Sequence, residues 1–266
     1  MRISASLNRL IEAAQPLWAG EAEVFRSYWD SPVRSLDSDL LWLSRQASKE
    51  FNGSGAAEFK NLGVFMGPVT ELLEMFPKID RGVSRNEAFE RIEMLHEEFS
   101  HYMAFADVYD SIRPPDTSPL NPHEVLPWDE DVALNAFRHR AMAEHGEIGR
   151  RATKFSEGGY CTLFREGMRL QDRGGADNLI AEACAKIYDD EFGHMLSGIV
   201  GLDDAKLSDG DWGLMIDLVI QILRHRVLMR NAEFSYPLSE DRVKAIFAGE
   251  IEPEAFDFGK AEMEPA

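Results

Sequence analysis

The chain has 266 residues, 44% of them hydrophobic, which is enough for one large domain or two small ones with a proper core. Its 28 basic residues against 47 acidic ones leave a formal charge of −19, which repels phosphate backbones and anionic lipid head groups and so argues against nucleic acid and membrane surfaces as partners. Only Cys161 and Cys184 occur, with no Cys-x-x-Cys, which argues against a disulfide framework, a rubredoxin-type iron site and a zinc ribbon and points to a reducing cytoplasm.

Apolar residues recur at three- and four-residue steps and alternating β-branched runs are nearly absent, so the expected class is all-α. Residues 1–53 read as a helical N-terminal addition, broken by Pro16 and by "DSPV"; Arg9 and Glu12 interrupt any signal-peptide core, and no run is long and apolar enough to span a bilayer. Ser54 can cap a helix with Glu58, Leu62, Phe65, Val69, Leu72 and Phe76 on one stripe, kinked at Pro68. Ser84 and Glu87 form a capping box that opens a helix running to about Ser111. The proline-rich "RPPDTSPLNPHEVLPW" reads as a crossover, and 129–171 as one long or bent helix, followed by the turn "DRGGAD" and a further helix. Residues 54–200 would thus make the bundle. Helices within 201–249 would pack on it, with Arg224, Arg226 and Arg230 read as surface cations, and 250–266 would be an acidic, mobile tail.

Two pentapeptides nearly repeat: "EEFSH" at Glu97–His101 and "DEFGH" at Asp190–His194. On a helix, residues three apart share a face, so Glu98 with His101, and Glu191 with His194, can each offer one carboxylate and one imidazole to a metal ion. In helical bundles that bind two metals, each Glu-x-x-His is completed by a single Glu from another helix. Glu157 suits the second pair: the turn "DRGGAD" lies midway between it and Glu191, and its stripe with Tyr160, Cys161, Phe164 and Met168 faces inward. Glu58 suits the first, on the same reasoning about the turn at "FPKID", with Glu71 as rival and the register Glu93/His96 as an alternative to Glu98/His101. The remaining histidines, His123, His139, His145 and His225, read as ordinary helix or loop residues.

Through Glu58, Glu98, His101, Glu157, Glu191 and His194, the stretch from Ser54 to Val200 resembles the ferritin-like di-iron carboxylate superfamily, including its oxygen-activating enzymes. The resemblance implies a four-helix bundle with a long crossover and two iron ions, with Mn/Fe or Mn/Mn as variants. It further implies O2 as co-substrate and oxidation of a small organic molecule by hydroxylation, N-oxygenation, desaturation or oxidative cleavage. No flavin or nicotinamide fingerprint is present, so electrons would come from a separate reductase or from the substrate. A homodimer is left open. Alternatives are ferritin- or rubrerythrin-like iron oxidation or peroxide scavenging, and a metal-free helical interaction protein using its acidic surface. Gly158 and Gly159 beside Glu157 admit two readings, a cavity for oxygen or substrate or a close helix contact.

Overall fold

The computed structural model describes residues 3–52 and 63–258. The described residues contain no β-strand, and their α-helices in chain order are α1 (Ala5–Trp29), α2 (Leu36–Asn52), α3 (Met66–Met75), α4 (Arg85–Ile112), α5 (Asp129–Phe155), α6 (Gly158–Met168), α7 (Gly175–Ser197), α8 (Asp209–Glu233) and α9 (Glu240–Phe247). None is long and apolar enough to cross a membrane. Caps set several starts. The Ser4 hydroxyl accepts from Leu7 N–H, Ser84 and Glu87 make the expected reciprocal box, and Ser208 with Asp211 makes a second.

The chain divides into two compact units, Met1–Arg34 with Trp128–Ala266, and Ser35–Pro127. These differ from the expected boundaries. In the larger unit α8 packs against α1 and α5, α6 packs against α7 and α1, and α9 packs on α1 and α8. Its centre is therefore built from helices that the sequence reading placed outside the bundle. The reason lies in their side chains: Leu10, Trp18 and Phe25 of α1, and Met215, Val219, Ile222 and Val227 of α8, are fully buried. Each such side chain contributes about 1.5–3 kcal/mol on leaving water. Burial on both sides of Pro16, by Ala14, Leu17 and Trp18, carries α1 through the proline instead of ending it there, outweighing a cost of about 3 kcal/mol. Pro68 likewise causes no kink, because α3 begins only two residues before it, where the missing N–H has no intrahelical partner to lose.

The expected single helix over 129–171 is interrupted twice. Gly146 takes φ 52° and ψ −120°, a conformation that L side chains resist, and kinks α5; the helix then stops at Ser156, and α6 restarts with Glu157 as its N-cap residue. In the smaller unit α4 packs on α2 and α3, with Trp42 of α2 edge-on to Phe105 of α4 at 6.2 Å. Within the expected acidic, mobile tail of 250–266, Phe256 and Phe258 are buried, and 259–266 lie outside the described residues.

Candidate metal centres

Among the described residues, each unit contains one group of three potential ligands. In the larger unit, Glu157, Glu191 and His194 bring one ligand atom each within 4.8 Å of one another. Glu191 and His194 lie one turn apart on α7, with His194 Nδ1 3.9 Å from Glu191 Oε2. Glu191 is buried, and the Glu157 side chain is only 12% exposed. Glu157 meets two cations, Arg138 Nη2 and Lys154 Nζ, each at 3.4 Å from a carboxylate oxygen.

In the smaller unit, Glu98 and His101 of α4 are joined by Glu50, from the last turn of α2, again within 4.8 Å. His101 is 1% exposed and Glu50 is buried, its Oε1 accepting a hydrogen bond from Gln46 Nε2 one turn earlier. The expected third ligand, Glu58, lies outside the described residues. Glu71, its rival, forms an exposed ion pair with Arg91 at 2.6 Å. Glu93 and His96 are exposed and enter neither group, so Glu98/His101 is the register that the fold turns inward. Glu50 stands in the segment that reads as an N-terminal addition, and α2, which packs against α4, brings it to Glu98 and His101.

The glycine pair beside Glu157 serves close packing. A Cβ on Gly158 would stand 2.7 Å from Trp18 Cε2 and 2.8 Å from Met195 Sδ, and one on Gly159 would stand 2.1 Å from Glu21 Oε1 and 2.3 Å from Arg226 Nε. Gly159 therefore lets α6 rest on a buried charge network. Arg226 Nε and Nη2 donate to Glu21 at 3.0 and 3.3 Å, and Arg230 Nε lies 3.8 Å from the same carboxylate. Arg230 Nη1 donates to Glu233 at 2.5 Å, and the guanidinium groups of Arg226 and Arg230 lie 4.5 and 5.0 Å from the Tyr160 ring centroid. The surface reading of Arg226 and Arg230 is thus overturned, since both are 0% exposed. Burial disfavours the Arg226 cation, but Glu21 and Tyr160 more than offset this and hold it charged, with a pKa above the usual arginine value. Removing either member of such a pair leaves an uncompensated buried charge, which makes the network a rigid support for the start of α6.

Both cysteines are free and buried. Burial, and then the Glu191 carboxylate, push the Cys161 thiol well above its ordinary pKa, so it stays protonated beside the Glu157 group. A protonated thiol is a poor metal ligand. Comparison with protein-family models, curated proteins and solved structures finds no match to this chain.

Proposed function

We propose that the protein is an oxygen-dependent non-haem di-iron oxidoreductase of the ferritin-like carboxylate type, acting on a small organic molecule. The observation that carries this reading is the paired ligand sets: Glu50, Glu98 and His101 in one unit and Glu157, Glu191 and His194 in the other, each one imidazole and two carboxylates within 4.8 Å. At each group an ion would meet two carboxylates and one imidazole, so the two carboxylates offset the charge of one divalent cation. An oxygen-rich donor set with one nitrogen and no thiolate fits iron or manganese better than structural zinc. Bound iron would supply the reduction of dioxygen.

The chain's own groups fit that role. Glu191 and His101 are buried, and a buried carboxylate or imidazole is favourable when it is hydrogen-bonded or ligating. Arg138 and Lys154 hold Glu157 at 3.4 Å, keeping its charge compensated until a cation replaces them.

The test is elemental analysis of protein expressed with iron and manganese supplied, for wild type, Glu191→Ala/His194→Ala and Glu50→Ala/His101→Ala. The expected contents are two, one and one metal per chain, since each variant removes one of the two ligand sets. A well-folded wild type that takes up neither iron nor manganese overturns the reading.

A further inference from the structure

Beyond α9, the described residues 250–258 have almost no regular structure, yet they are held against the rest of the larger unit mainly by side chains. Their backbone is held by a few bonds: Glu250 N–H donates to Ala245 O and Arg242 Nη1 to Glu250 O, each at 2.9 Å, and further on Glu254 N–H donates to Gln15 O at 3.3 Å and Arg165 Nη1 to Ala255 O at 3.4 Å. The Glu254 carboxylate accepts from Arg26 Nη2 on one oxygen and Arg165 Nη2 on the other. Two residues on, the Phe256 ring meets Trp18 edge-on at 5.0 Å and Phe192 at 6.1 Å, with the Arg165 guanidinium 4.8 Å from its centroid. Phe258 follows, 6.4 Å from Trp18 and 6.5 Å from Phe192.

The strap therefore presents a carboxylate joined to an apolar body, and the pocket that receives it presents two arginines at its rim and aromatic walls within. One rim donor, Arg165 Nε, is buried without a hydrogen bond, 3.9 Å from Glu166 Oε1. A cavity of about 370 Å³, lined by Ala19, Glu23, Arg26, Arg242, Pro253 and Glu254, adjoins the rim. The Trp18 wall of the pocket also lies against Gly158, the residue after Glu157.

We propose that the strap is an internal stand-in for a ligand, and that the pocket holding Glu254, Phe256 and Phe258 binds an amphipathic carboxylic acid, its carboxylate on Arg26 and Arg165 and its apolar tail between Trp18 and Phe192. On the di-iron reading, this acid is the substrate, and the inference about its oxidation rests on that reading; its binding does not. The strap is suited to leave. Ordering each of its residues opposes its retention by about 1–2 kcal/mol of backbone entropy, and almost no backbone ladder offsets that.

The experiment is calorimetric titration of the full chain with sodium decanoate below its micelle concentration, and with 1-decanol as the uncharged control, on metal-free and iron-loaded protein. Hydrogen exchange of amides 250–258 is followed in parallel. Decanoate should bind saturably and accelerate exchange across the strap, while decanol should bind more weakly. Glu254→Gln, which loosens the competing strap, should tighten decanoate about tenfold, as expected when the competent state becomes more populated. Arg165→Met should abolish the preference for decanoate over decanol. The proposal is overturned if decanoate fails to bind both wild type and Glu254→Gln, binds them equally, or leaves strap exchange unchanged. Circular dichroism confirms that each variant is folded. Metal content is measured on the same samples, so failure of the metal reading and failure of the pocket appear as separate results.

Discussion

Replacing Gly159 by alanine sets two effects against each other, and the structure decides which wins. Helix propensity alone favours alanine by about 1 kcal/mol within a helix. The new Cβ, however, would stand 2.1 Å from Glu21 Oε1, 2.5 Å from Oε2 and 2.3 Å from Arg226 Nε, and all of these atoms belong to fully buried side chains. Neither partner is the free end of a surface chain. Relief requires either that α6 move away from α1 or that the Glu21–Arg226 pair separate. The first resembles overpacking, at about 1–3 kcal/mol, and the second approaches the loss of a buried ion pair, at about 3–5 kcal/mol. Subtracting the propensity gain leaves a net loss of up to about 2 kcal/mol by the first route and about 2–4 kcal/mol by the second, at most roughly 15 °C in melting temperature for a unit of this size. Thermal melts of Gly159→Ala, wild type and Gly213→Ala measure it. Gly213 lies in α8, and a Cβ there meets nothing within 4 Å, so its alanine variant should be stabilised by up to about 1 kcal/mol. A Gly159→Ala melting temperature equal to or above that of wild type would refute the role of this glycine as a close-approach site. Because Glu157 is the N-cap residue of α6, the same variant should also weaken metal uptake at the Glu157 group.

Three other expectations follow from the same geometry. Arg138→Met removes a cation that competes for Glu157, so equilibrium dialysis should show tighter iron or manganese binding at that group while the Glu50 group is unchanged; weaker binding would mean that Arg138 supports the site. Glu50→Gln should lower metal content, whereas Glu71→Gln should not, because Glu71 is engaged on the surface with Arg91; the reverse pattern in elemental analysis would move the ligand to Glu71. Burial raises the Cys184 thiol far above its ordinary pKa of 9.0, and burial with Glu191 does the same for Cys161. Above pH 9 the unfolded chain releases these protons while the folded chain retains them, so this contribution is fully present below pH 9 and is lost as pH rises further. Urea titrations at pH 8 and pH 10 on wild type and Cys161→Ala/Cys184→Ala should show a smaller pH-dependent loss in the variant; equal losses would place the alkaline sensitivity elsewhere. In the folded wild type near pH 8, iodoacetamide should label neither cysteine.

Much of the site was legible in the sequence because helical spacing is a local property. Three-residue spacing puts Glu98 beside His101 and Glu191 beside His194 on any α-helix, and the capping box at Ser84 fixes where the first of these helices begins. Glu157 was legible for a related reason, since a turn midway between two helical residues brings them level. Glu50 was not. Its approach to α4 depends on α2 packing against α4, a contact between segments whose connection carries no periodic signal. The fates of Arg226 and Arg230 were also hidden, because a charged residue on an amphipathic helix reads as solvated unless its buried partner, here Glu21 more than 200 positions away, is known.

The sequence by itself determined that the chain is helical, that its surface is strongly acidic, and that two Glu-x-x-His pairs stand on separate helices, since composition and short-range periodicity depend on few other residues. Only tertiary structure brought Glu50 to Glu98 and His101, showed that Gly158 and Gly159 admit neighbouring side chains instead of opening a cavity, and set Phe256 and Phe258 against Trp18 and Phe192. Each of these outcomes depends on which apolar faces meet, and that is set by burying the most surface at the least strain over the whole chain, a quantity that no short window of residues contains.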